Sequence, residues 1–213
     1  MVPEVAIQAA LLRLEGDGLV AFPTETVWGL AALARSHAAL EALRAWKGRD
    51  TDQPISLLVP DAQSLEALGF EVPLRAREWM DRHWPGPLTL VMPCRGVFAG
   101  GVSRGDGAVG VRCSSHPAAA ELARAALDAG LGPITATSLN ASGEAPARSR
   151  AEAHSFCAER RARGEVALYA CDRDAGGAEP STVVDVCGAE PQLLRVGALA
   201  PRTLGFDAPA EPR

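Results

Sequence analysis

Apolar residues in "PEVAIQAALLRLEG" recur every three or four positions, the repeat that lines one face of a helix, with Pro3 at a first-turn position and Gly16 and Gly18 as stop signals. A helix is predicted there. The pattern changes to the short apolar run "LVAF", read as a strand, and after a loop returns to helical spacing in "SHAALEALRAWKG". Ser36 is the expected N-cap of that helix and Gly48 its C-terminal stop. Farther along, "PISLLVP", "PGPLTLVMP", "AVGVRC" and "GPITATS" read as strands, and "SLEALG", "PLRAREWMDRHW" and "HPAAAELARAALDAG" as helices. "SRAEAHSFCAERRARG" is predicted helical, followed by the strands "EVALYA", "STVVDV" and "PQLLRV".

Strands that alternate with helices early and cluster late predict an α/β fold with a twisted, open, mixed sheet and flanking helices. The 213 residues, 47% of them hydrophobic, suit a single domain, expected over residues 1–205, with a Pro-rich polar tail at 206–213 that frays.

Charge and composition narrow the function. A formal net charge of -5 excludes a surface that traps polyanions everywhere, and any nucleic-acid contact must be local. The five cysteines are scattered, without a CxxC pair, so zinc and redox dithiols are not expected and the thiols read as reduced, in a cytoplasmic protein. Arg13, Glu15 and Asp17 interrupt the first apolar stretch, which argues against a secretory leader. No run reaches the roughly 18 apolar residues of a membrane span, so no membrane partner is expected. The four histidines show no metal-ligand spacing, and neither GxxxxGK[ST] nor GxGxxG occurs.

Polar residues collect where strands end, the usual location of ligands in open α/β sheets. In "RAWKGRDTDQP", Arg44, Lys47 and Arg49 form either a phosphate clamp or a solvated helix end that complements the helix dipole. In "TSLNASGE", Thr137, Ser138, Asn140, Ser142 and Gly143 either surround phosphate oxygens or satisfy their own turn. Arg112 and Arg195 each close an apolar run, as partners of an anion or as snorkelling edge residues. "PTET" adds Thr24, Glu25 and Thr26, with Glu25 expected outward or paired with a cation. Ser181 stands at the head of "STVVD", and His116 is expected to cap a turn or helix.

In this order, "FPTETVWGL", "KGR" followed by "QPI", "WPGPLT", "VGVRCSSHP", "ATSLNASGE", "STVVD" and "LLRVGAL" resemble the YrdC-like family of L-threonylcarbamoyladenylate synthases, of the TsaC type, in its single-domain form. The resemblance runs from about residue 5 to 200. It implies a YrdC-like fold with a concave basic cavity. It also implies a reaction in which L-threonine, bicarbonate or CO2, and ATP with Mg2+ give threonylcarbamoyl-AMP and pyrophosphate. Other transferase proteins then modify tRNA.

Position by position, the resemblance implies that Lys47, Arg49, Gln53, Ser138, Asn140 and Arg195 bind ATP, with Lys47 and Arg49 catalytic. Thr26, Arg112 and Ser181 are implied for threonine, Thr24 for the same rim, and no protein metal ligands. The chain departs from the usual pattern at Trp28 (tyrosine), Gln53 (asparagine), Ile55 (leucine) and Leu139 (alanine). Two other classes compete: an RNA-binding module using the same cavity, and a carbamoyl-transfer enzyme.

Overall fold

The computed structural model describes residues 4–48, 54–177 and 179–206. Its first helix is shorter than the apolar repeat suggests. Glu4–Val5 forms strand β1, and α1 runs Ile7–Glu15. Tertiary pairing overrides the helical pattern, since Glu4 and Val5 lie parallel to Leu168 and Tyr169 of β9 (Val166–Tyr169), which meets their backbone groups. The run "LVAF" is strand β2 (Leu19–Phe22), as predicted. The segment read as a loop after it contains β3 (Gly29–Ala31), which returns antiparallel to β2 with Ala21 opposite Leu30. Three buried residues are too few to display an alternation.

"PISLLVP" pairs only at β4 (Leu57–Leu58). "GPITATS" is not one strand but two, β7 (Ile134–Thr135) and β8 (Thr137–Ser138), with Ala136 between them. The remaining strands are β5 (Leu88–Pro93), β6 (Ala108–Arg112), β10 (Thr182–Asp185) and β11 (Gln192–Arg195). Hydrogen bonds sort them into a five-stranded sheet, β1-β9-β2-β3-β8, and a six-stranded sheet, β11-β10-β5-β6-β4-β7. Both mix parallel and antiparallel pairs. The chain passes from the second sheet to the first at Ala136, whose N–H donates to Ser56 O at 2.8 Å.

Helices α2 (His37–Lys47), α3 (Ser64–Ala67), α4 (Leu74–His83), α5 (Pro117–Asp128) and α6 (Arg150–Glu159) flank the sheets. Ser36 caps α2 by accepting the Ala39 N–H at 3.1 Å, and Gly48 ends it at φ 62°. Leu40, Leu43 and Trp46 bury one face of α2 almost completely. At about 2 kcal/mol for each buried side chain, that face fixes the helix and with it the direction of its last residue, Lys47. Phe206, the first residue of the predicted tail, lies 6.0 Å from Trp79, centroid to centroid. Residues 207–213 fall outside the described residues.

Candidate active site

Side chains of a strand alternate between faces, and the six-stranded sheet uses the alternation to separate core from site. Leu88, Leu90 and Met92 of β5, Val109 and Val111 of β6, and Thr182 and Val184 of β10 face the core. Thr89 and Val91, Ala108, Gly110 and Arg112, and Ser181 and Val183 line a cavity of about 410 Å³ on the other face. Register then aligns one row across four strands: Arg195 opposite Val183, Val183 opposite Thr89, Thr89 opposite Arg112. Three strand spacings place the two arginine backbones roughly 14 Å apart. In the next row Gly110 leaves room for Ser56, since a Cβ there would come 2.6 Å from Ser56 Oγ and force that side chain to shift.

The opposite wall comes from the five-stranded sheet and its loops: Phe22, Thr24, Val27, Trp28 and Gly29, then Ser138, Asn140, Ser142 and Gly143. Lys47 enters between them and is only 3% exposed. Its Nζ donates to Ser138 O at 2.5 Å, Asn140 O at 3.1 Å and Asn140 Oδ1 at 2.9 Å. Ser138 Oγ donates to the same Asn140 Oδ1 at 2.7 Å, and Asn140 Nδ2 to Glu144 O at 2.6 Å. The loop closes on α2 where Ser142 N–H meets Lys47 O at 3.0 Å. Arg44, from the same sequence cluster, turns away to Gly100 O. Arg49 and Gln53 lie outside the described residues.

At the other corner Arg112 Nη2 donates to Glu25 Oε1 at 2.7 Å and Thr26 Oγ1 at 2.9 Å. Glu25 is thus paired with a cation, and Ser114 Oγ donates to its second oxygen. The Nε–H of Arg112 is buried without a hydrogen-bond partner. Thr26 is fully buried beside Thr24, their hydroxyls 2.7 Å apart, and Thr24 rather than Thr26 lines the cavity. Ser181 Oγ lies 2.8 Å from Thr89 Oγ1, while Arg195 donates through Nε and Nη2 to Ser181 O at 3.1 and 2.9 Å. Of the described residues implied for ATP or threonine, Lys47, Arg112, Ser138, Asn140, Ser181 and Arg195 line one cavity, and Thr26 touches it through Arg112; Arg44, Glu25 and His116 lie outside the lining.

Sequence reading passed over Arg104, which also lines the cavity. Its guanidinium is forked on Asp106, at 2.8 and 2.6 Å, and donates to Asp185 at 2.5 Å. Those hydrogen bonds raise its pKa, and Arg104 holds Asp106 down at about 2. In "GVSRGDGA" only its pairing with Asp106 is local; its second partner, Asp185, is 81 residues away. Thr89 was also missed, although it is the inward-facing polar position of "LTLVM". The described lining residues include Lys47, Arg104, Arg112 and Arg195 but no carboxylate. Burial pushes the thiol of Cys113, next to Arg112, up to about 11, away from the thiolate form. Among the described residues no group of three or more His, Cys, Asp and Glu could hold a metal ion.

A model of the Sua5/YciO/YrdC family, described as telomere recombination, matches residues 13–197. The chain belongs to this family. Among its Sua5/YciO/YrdC relatives, the threonylcarbamoyl-AMP synthase of Bacillus subtilis is 37% identical over 199 residues, which are 92% of this chain and 54% of that protein. The chain thus spans about half the length of that relative. The putative threonylcarbamoyl-AMP synthase of Mycobacterium tuberculosis is 34% identical over 209 residues, 95% of this chain and 90% of that one. The crystal structure of P. abyssi Sua5 complexed with L-threonine superposes with a TM-score of 0.82 at 31% identity, covering 96% of this chain and 59% of that one. E. coli YciO shares the fold, with a TM-score of 0.77 at 18% identity over 93% of this chain and 96% of that one.

Proposed function

We propose that the chain is an L-threonylcarbamoyladenylate synthase, which joins L-threonine, bicarbonate or CO2, and ATP into threonylcarbamoyl-AMP and releases pyrophosphate. The observation that carries this reading is the cross-strand row with a guanidinium at each end, Arg112 and Arg195, facing a buried ammonium, Lys47. The reaction must bring two anions together, and such a site supplies separated positive charge, with no carboxylate among the described lining residues although Glu25 pairs with Arg112 from behind the lining.

The threonine carboxylate belongs at Arg112, whose buried Nε–H has no hydrogen-bond partner, with the hydroxyls of Thr24 and Thr26 beside it and that of Ser181 reached through Thr89. The phosphates belong to Lys47, Ser138, Asn140 and Arg195, joined by Arg49 and Gln53. Once the threonine amine is a carbamate, a carbamate oxygen attacks the α-phosphorus; the new O–P bond forms as the bond to pyrophosphate breaks. Lys47 and the arginines stabilise the charge gathering on phosphate, and no covalent nucleophile is required. Mg2+ would accompany the triphosphate and neutralise part of its charge; no carboxylate among the described lining residues would hold it, and the nearby Asp106 and Asp185 are engaged by Arg104. The product feeds threonylcarbamoyladenosine formation in tRNA through separate transferase proteins, in the cytoplasm.

Incubation with ATP, Mg2+, bicarbonate and L-threonine should release pyrophosphate in proportion to threonine. RNA retention with no pyrophosphate would reject the synthase in favour of an RNA-binding module. Turnover of carbamoyl phosphate in place of threonine and bicarbonate would make it a carbamoyl-transfer enzyme.

A further inference from the structure

Leu194 and Arg195 are consecutive in β11, yet both line the cavity. A regular strand would send one of them to the opposite face. The register explains the exception: Val183 pairs with Arg195 and Val184 with Leu193, so Leu194 is the extra residue of a β-bulge. Bulges beside functional sites re-aim side chains in this way. The chain leaving β11 is tied down just after the bulge. Thr182 Oγ1 accepts the Gly197 and Leu199 N–H groups, each at 3.1 Å, and a Cβ on Gly197 would come 2.2 Å from Pro180 O.

Leu194 is nevertheless 51% exposed, at the mouth of a cavity whose neighbouring floor is Val183 and Val91. An anchored, uncovered aliphatic surface beside a guanidinium suits a flat apolar group carried by an anion. The site offers that pairing at the Arg195 end of the row, away from Arg112.

We infer that Leu194 is the shelf for the nucleobase of the nucleotide substrate, so that it sets nucleotide affinity through the base and not through the phosphates. This rests on the nucleotide reading of the cavity given above. Isothermal titration of the wild type, Leu194→Ala and Val196→Ala with ATP, inorganic tripolyphosphate and L-threonine tests it. Val196 is exposed to a similar extent, 52%, but lies outside the lining. With thermal melts verifying that each variant is folded, Leu194→Ala should weaken ATP by about tenfold and leave tripolyphosphate and threonine unchanged. Val196→Ala should change none of the three. Equal losses for ATP and tripolyphosphate, a loss confined to threonine, or unchanged ATP affinity would overturn the shelf while leaving the nucleotide site in place. Failure of the wild type to bind ATP at all would overturn the nucleotide reading and the shelf with it.

Discussion

Lys47 makes three hydrogen bonds to Ser138 and Asn140 while almost wholly buried, so it fixes the loop that carries them as well as placing a positive charge in the cavity. Lys47→Met keeps much of the aliphatic stem and removes both functions. Its threonine-dependent pyrophosphate release should fall by about 100-fold or more, with a far-ultraviolet spectrum like that of the wild type. Near-normal turnover would remove Lys47 from the reacting centre. Arg112 differs, because its partners Glu25 and Thr26 lie on the opposite sheet's loop. Arg112→Ala should raise the KM for threonine far more than the KM for ATP. The opposite split in initial-rate kinetics would mean that the two subsites are exchanged.

At the scale of elements, a few side chains set the position of whole helices. His116 caps α5: its Nδ1 accepts the Ala118 N–H at 3.2 Å, and Nε2 faces Asp174 O at 3.0 Å. The Nδ1 contact requires neutral imidazole, whose proton then sits on Nε2 and is donated to Asp174 O. Burial is the main cause of a pKa lowered from 6.5, opposed by the Asp174 carbonyl and the charges of Glu25 and Asp174 and aided by Arg173. The unfolded chain therefore takes up this proton first as pH falls. The stabilisation is complete above pH 6.5 and is lost as pH falls through the lower folded value. Calorimetry at successive pH values should show a steeper acid-side loss of Tm for the wild type than for His116→Asn, which caps without titrating; parallel curves would dismiss the cap as the cause. Asp174 also accepts the indole N–H of the buried cavity residue Trp28 at 2.7 Å and the backbone N–H of Arg150 at 2.8 Å. Its replacement by Ala should cost about 1 kcal/mol, measurable by urea unfolding. That contact gives the departure at Trp28 a physical reading: an indole donor has a partner here, supplied from a loop that local sequence patterns do not connect to it.

For the whole molecule, what could be read in advance was whatever depends on near neighbours. Ser36, Gly48 and Pro117 mark helix ends through local backbone chemistry, and they occur where expected. β1 and β3 were hidden because a strand of two or three residues exists only through its partner. The break of "GPITATS" at Ala136 was hidden because it comes from the meeting of two sheets. The site was legible as a set of polar strand ends, but its order was not. That Arg195, Thr89 and Arg112 share one row, with Arg104 at the rim, follows from pairings of residues up to about 100 positions apart.

That row makes the candidate active site a matter of parity. Core and cavity share the same strands, odd positions of β5 facing one way and even positions the other, so a slip of one residue in β10 would exchange Ser181 and Val183 for Thr182 and Val184. Single-residue insertions or deletions in these strands should be far more damaging than multiple substitutions that keep the alternation. The chemistry of this protein is thus written partly in the count of residues between its turns, a quantity that identity at any one position does not measure.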